Sequence, residues 1–215
     1  MSRRALALST LVLAACSSAS VDTPKQRQEP TWRVLFDGTS LGDLAPTQFG
    51  MQSEVYVEDG RLILEQGDPL TGVTWRGAPL PTCDYAIEVR AARLRGTDFF
   101  CGLTFPVGDS HASLILGGWG GALCGISSLD DQDASDNETR SFRAFVTGKE
   151  YLVRIEVRRD RLRAFVDGER IVDVSTLGRR IDVRAEVRPS IPFGIASFAT
   201  RAAIRDLRIA MLPPE

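Results

Sequence analysis

His111 is the single histidine of this 215-residue chain, and imidazole is the side chain whose ordinary pKa suits proton transfer near neutrality. It closes the run Asp109-Ser110-His111. In a catalytic reading, His111 is a base and Asp109 the carboxylate that orients it. Arg143 is then the cation for charge that builds up once a proton has left. The competing reading is a surface histidine at the start of a strand.

A few residues on comes Gly117-Gly118-Trp119-Gly120-Gly121. Four glycines around one tryptophan permit positive φ and close backbone approach. An exposed indole is a flat partner for the apolar face of a pyranose ring, so Gly118, Trp119 and Gly120 are candidate sugar contacts. The alternative is a hairpin turn with Trp119 folded into the core. The acidic stretch from Asp130 to Glu138 supplies Asp131, Asp133 and Asp136 as candidate oxygen ligands for Ca²⁺. It has neither the glycine nor the bidentate glutamate of an EF-hand loop, and a solvated loop is the other reading.

Other chemistries lack their residues. No Gly-x-Ser-x-Gly elbow is present for a serine nucleophile. No Glu-x-Asp-x-Glu strand offers paired carboxylates for glycoside cleavage. No Lys-Ser or Lys-Thr follows the glycines, as a phosphate-binding loop requires. One histidine and no Cys-x-x-Cys spacing argue against structural zinc. Positive charge is almost all arginine, Lys25 and Lys149 being the two lysines, and it is dispersed rather than clustered. Nucleic acid is therefore not expected as a partner.

The elements that must position these residues read as strands. Tyr151, Val153, Ile155 and Val157 alternate with Leu152, Arg154 and Glu156, so one face enters a core and the other meets water. Arg159-Asp160 turns the chain into Leu162 to Val166, and Asp167-Gly168 turns it into Arg170 to Val174, a meander. A hairpin runs from residues 54–57 through Asp59-Gly60 to residues 62–64. Further strands are expected at 85–94, 99–105, 113–116, 123–127, 194–198 and 203–209. Glu-Val-Arg at 88, 156 and 186 is read as strand alternation. About a dozen short strands without a long helix predict an all-β sandwich of two antiparallel sheets.

Arg3 and Arg4 precede an apolar run from Ala5 to Ala15, too short to span a bilayer as a helix, and Leu13-Ala14-Ala15-Cys16 resembles a bacterial lipobox. Residues 1–15 are thus expected to be a signal peptide and Cys16 the lipidation site, with a membrane partner through the lipid and an exported, envelope-anchored location. An ordinary secretory signal cut near Ala15 is the alternative. Residues 16–30 read as a disordered tether. Loss of Arg3 and Arg4 would make the formal charge of −2 two units more negative. Cys83, Cys101 and Cys124 allow at most one intramolecular disulfide.

Trp32-Arg-Val-Leu35-Phe36-Asp37-Gly38-Thr39-Ser40-Leu41 resembles the opening of the 3-keto-disaccharide hydrolase domain family. Val57-Glu58-Asp59-Gly60-Arg61-Leu62 is similar to the family's second element, and Gly194-Ile195 with Ile204-Arg205-Asp206-Leu207-Arg208-Ile209 to its closing strands. The resemblance covers residues 31–212. It implies a concanavalin-like jelly roll, carbohydrate as partner, and either hydrolysis of a 3-keto glycoside or noncatalytic carbohydrate binding. In the catalytic case His111 would remove the acidic proton beside the keto group, the glycosidic oxygen would leave by elimination, and hydration of the unsaturated product would complete the hydrolysis. The chain departs from the family where Phe99-Phe100-Cys101-Gly102-Leu103-Thr104-Phe105 has no arginine and Phe198-Ala199-Thr200-Arg201 has no histidine.

Overall fold

The computed structural model describes residues 30–213; the signal, Cys16 and tether expectations lie outside them. Alternation decides the architecture. In β11 (Glu150–Val157) every second residue, Tyr151, Val153, Ile155 and Val157, is buried. In β12 (Arg161–Val166) Leu162, Ala164 and Val166 repeat the pattern. Period-two burial leaves one face of each strand for a core.

Two antiparallel sheets share that core. Sheet I runs β13 (Glu169–Ser175), β12, β11, β6 (Tyr85–Gly96), β15 (Thr200–Met211), β4 (Arg61–Leu64) and β3 (Val55–Glu58), with β1 (Trp32–Val34) also on β15. Sheet II runs β10 (Ser141–Phe142), β9 (Leu123–Ser127), β8 (Ser110–Gly118), β7 (Cys101–Val107), β14 (Gly194–Phe198), β5 (Leu70–Trp75) and β2 (Leu44–Pro46). Between them lie Leu62, Leu64, Ile87, Leu103, Phe105, Leu114, Ile126, Phe193 and Ile204, all essentially without solvent contact. Each such side chain contributes about 1.5–3 kcal/mol, which is what joins the sheets.

The expected meander and hairpin are present in register. Four strands, β1, β2, β5 and β10, were not foreseen, and β8 is longer than expected, taking in His111 at one end and Gly118 at the other. The third Glu-Val-Arg corrects the sequence reading. Residues 186–188 lie in a 3-10 turn, Ala185–Ser190, followed by Pro192, and the prolines at 189 and 192 have no N–H to give a ladder.

The outer faces of the two sheets differ. Sheet I presents Glu88, Arg90, Glu150, Arg154, Glu156, Arg205 and Arg208 in a ladder of ion pairs. Sheet II presents Gly72, Thr74, Gly102, Thr104, Ser113, Gly125, Ser127 and Ala196, every one buried. Covering them are the loop of residues 129–140 and a strap of residues 176–193. Val183 and Val187 of the strap join Leu70, Phe99, Ile115 and Ala196 in a second, smaller apolar cluster.

Candidate functional site

Sheet I has two poles. Trp32, Tyr85 and Met211 mark the near pole, and Gly96 and Thr200 the far one. The twelve residues of β6 run between them, about 35 Å at strand rise. The candidate residues divide between these poles.

Trp119 is at the far pole. β8 ends at Gly118 and a turn follows, closed by the Gly121 N–H donating to the Gly118 carbonyl at 3.1 Å. Trp119 holds φ at 48°, which costs a bulky residue energy. Its side chain is 46% exposed rather than folded into the core. Beneath the turn lies Arg93, which β6 sends inward and which is only 6% exposed. Its Nη2 donates to the carbonyls of Gly117 at 3.2 Å and Gly121 at 2.8 Å, and the guanidinium stacks on Phe100, 5.3 Å from the ring centre.

That arginine accounts for one of the four glycines, and the Thr97 carbonyl for another. A Cβ on Gly117 would stand 2.4 Å from Arg93 Nη2, and one on Gly121 2.9 Å from the Thr97 carbonyl. Burial pushes the Arg93 pKa down, with Asp98 the first charge acting against it, and its Nε has no partner. Asp98 itself lies at the corner's surface. It accepts from the Phe99 N–H at 2.7 Å and, at a longer 3.4 Å, from the Gly120 N–H. Gly118 is buried, and a Cβ on it would stand 2.9 Å from the Ile115 side chain and 3.8 Å from the Asp98 carboxylate. The corner thus offers one aromatic plane, one carboxylate, and the exposed backbone of Gly120 with no side chain in the way.

His111 is at the near pole. It stands opposite Pro106, whose carbonyl takes the Tyr85 hydroxyl at 2.6 Å. Seven residues separate it from Gly118 along β8, about 23 Å. The polar run and the glycine run, one constellation in the sequence, are therefore opposite ends of one strand. Burial holds the His111 pKa below its ordinary value, the Asp182 carboxylate opposes this, and Arg188 adds to it. Both belong to the strap, and they pair with each other at 3.1 Å. Asp109 is in the exposed turn beside His111. Arg143 is not near them, since its N–H donates to the Ala122 carbonyl at the far pole and its guanidinium pairs with Glu169 at 2.5 Å and Asp167 at 3.7 Å. The charges acting on the His111 ring are Asp182 and Arg188 of the strap rather than Asp109, and Arg143 lies away from both His111 and Asp109.

The acidic loop faces arginines. Asp130 and Glu138 both take Arg179 at 2.5 Å, Asp131 takes Arg180 at 2.6 Å, and Asp133 takes Arg184 and the Ser127 hydroxyl. Asp136 accepts from Ser135. Among the described residues no three or more potential ligands gather for a metal ion, so Asp131, Asp133 and Asp136 do not converge. The charge of Asp131 and Asp133, with that of Asp130 and Glu138, clasps the strap instead.

Cys101 and Cys124 are free thiols. Leu116 stands between them, opposite both, so they are two strand spacings apart, about 10 Å, beyond the roughly 7 Å reach of a disulfide. Burial raises the Cys101 pKa to about 12. The sequence reading missed Arg93, Asp98 and Asp182. Gly-Thr-Asp at 96–98 is a recognisable turn, and Arg93 continues the inward parity of Ile87, Val89 and Ala91 in β6, but its charge reads against burial.

No family model and no curated protein matches the chain. Several solved structures share its fold. A Crh5 transglycosylase in complex with NAG aligns at TM-score 0.58 and 12% identity, over 85% of this chain and 85% of that one. An endo-acting O-glycanase of the human gut microbiota, of those that initiate mucin breakdown, aligns at 0.55 and 12%, over 84% and 100%. A sialidase aligns at 0.52 and 10%, over 86% of this chain and 19% of that one. At such identities the likeness is one of fold, and the fold is a concanavalin-like jelly-roll β-sandwich.

Proposed function

We propose that this protein binds carbohydrate at the far-pole corner, through Trp119, Asp98 and the exposed backbone of Gly120. The observation that carries the reading is the exposure of Trp119 on a turn that a buried arginine holds in an unfavourable backbone conformation. An indole kept at 46% exposure gives up burial that would stabilise the fold. A sugar ring recovers it, while its hydroxyls meet the Asp98 carboxylate. The fold shared with a transglycosylase and an O-glycanase supports the same class of ligand.

A second reading is hydrolysis of a 3-keto glycoside with His111 as base. It is supported by an imidazole whose lowered pKa leaves it neutral and able to accept a proton at pH 7. The separation of Arg143 from His111 leaves Arg188 as the cation beside the ring, and Arg188 is already paired.

Export and a lipid on Cys16 complete the proposal. Trp32 pairs with Ala210 at the near pole, so a tether leading to it would hold the Trp119 corner away from the membrane. Glycan binding and turnover of a 3-keto glycoside, measured on wild type, Trp119→Ala and His111→Ala, test the two readings. Binding lost in Trp119→Ala and kept in His111→Ala, with no turnover, is the expected result. Turnover abolished by His111→Ala would reverse the order. Cys16→Ser should move the protein from the membrane fraction to the soluble one.

A further inference from the structure

The chain exposes a second aromatic on the same edge of sheet II. Phe142 of β10 is 72% exposed, the largest exposure among its bulky apolar side chains in the described residues. Register relates it to the tryptophan corner. Phe142 stands opposite Leu123 of β9, and Leu123 opposite Gly118 of β8, the residue before Trp119. Directly opposed residues share a face. Cys124 and Ile126 point into the core, so Leu123 and Phe142 point outward. Phe142 therefore lies on the outer face, two strand spacings or about 10 Å from Gly118.

We infer that the carbohydrate platform extends from Trp119 across β9 to Phe142 and takes successive units of a neutral oligosaccharide chain rather than one sugar. This rests on the carbohydrate reading above and says what class of sugar the site accepts. Two aromatic side chains two strands apart match the span of a disaccharide and exceed that of a single pyranose ring. Gly118 and Leu123, the two positions between them, are buried and raise no exposed side chain on the path. Charge points to neutrality. Of the basic groups nearby, Arg143 is paired with Glu169 and Asp167, Lys149 with Asp167, and Arg140 donates to the Ser135 carbonyl at 2.9 Å; Asp98 would repel an acidic sugar. Neither Leu123 nor Phe142 is among the residues the strap touches. The strap's apolar contacts are with Leu70, Phe99, Ile115 and Ala196, and its clasp is on residues 130–138.

The test is affinity against chain length for the purified protein, with glucose oligomers of one, two and four units in β-1,3 and β-1,4 linkage, and with sialyllactose as the anionic control. Phe142→Ala removes an exposed side chain, so its fold is expected to persist and a thermal midpoint confirms it. The expected result is at least tenfold tighter binding of the tetramer than of glucose in one linkage. Phe142→Ala should cancel most of that gain and leave the monosaccharide affinity, whereas Trp119→Ala should abolish binding of both. Equal affinity for glucose and tetramer, or a chain-length gain untouched by Phe142→Ala, would overturn the extended platform and leave the Trp119 site standing. Preference for sialyllactose would overturn neutrality. A dimer in light scattering that Phe142→Ala converts to monomer would assign the face to a second copy of this chain and overturn the proposal. Absence of binding to every probe, including by wild type, would count against the carbohydrate reading itself.

Discussion

The outer faces of the two sheets start from the same alternation and end in opposite states. On sheet I the outward positions carry long charged side chains, and the face stays open. Glu88 takes Arg154 at 2.8 Å and Arg208 at 2.5 Å, and both guanidinium groups stack on Trp32. On sheet II most of the outward positions carry glycine, alanine, serine or threonine, with Leu70, Ile115, Leu123 and Phe142 as larger apolar exceptions, and the chain lies down on itself. Their hydroxyls find partners under the cover: Thr104 with Ser113 at 2.9 Å, Thr47 with Thr74 at 2.7 Å, and Thr74 with the Pro189 carbonyl at 3.0 Å. Side-chain length on the outward positions thus decides which face meets solvent. It also confines the exposed aromatics of sheet II to the corner the strap leaves free.

The contrast breaks most severely where sheet II needs its glycines. A Cβ on Gly72 would stand 2.4 Å from the Ile195 carbonyl, backbone against backbone. Gly72→Val should cost about 3 kcal/mol, read from urea unfolding. Loss of less than about 1 kcal/mol would mean that the strands separate easily and that smallness on this face is incidental. Next comes the cover itself. Val187→Ala removes two buried methyl groups of the strap and should cost about 2 kcal/mol, with faster proteolysis confined to residues 176–193.

Sheet I should yield smaller numbers. Glu88→Gln leaves two arginines without their carboxylate. Its side chain is 10% exposed, but those of Arg154 and Arg208 are 26% and 43% exposed, so solvent screens the loss to about 1 kcal/mol. The pH dependence sharpens the comparison further. His111 lies under the strap with its pKa held below the ordinary 6.5. The unfolded chain then binds the proton first as pH falls, so stability is full above that value and declines through the window beneath it. His111→Gln should remove this decline from the thermal midpoint between pH 7 and pH 5. Asp130 and Asp182 also have lowered pKa values, through backbone hydrogen bonds and arginine partners, and add a later loss below the ordinary carboxylate range. The smallest effect belongs to Arg161→Gln at the rim of sheet I, within about 0.5 kcal/mol of wild type.

Much of the fold was readable because alternation is a local signal. Tyr151 to Val157 and the hairpin through Asp59-Gly60 declare their faces within eight residues. β1 and β2, three residues each, are too short to show a period. The site was readable in its types and not in its grouping. Trp119 among glycines is legible as a turn that can present an aromatic, yet Gly117 answers to Arg93, a contact made across 24 residues of chain. His111 and Trp119 lie close in sequence, and an extended strand carries them apart. Asp131 and Asp133 resemble ligands until Arg180 and Arg184, about fifty residues later, are placed beside them.

The most direct test is hydrogen exchange of the purified protein with and without saturating neutral oligosaccharide, read by peptide. Protection at residues 97–99, 117–123 and 141–143, with none at 109–112 or 181–188, is the expected footprint. Protection centred on 109–112 and 181–188 would place the ligand with His111 beneath the strap and contradict the assignment to the Trp119 corner.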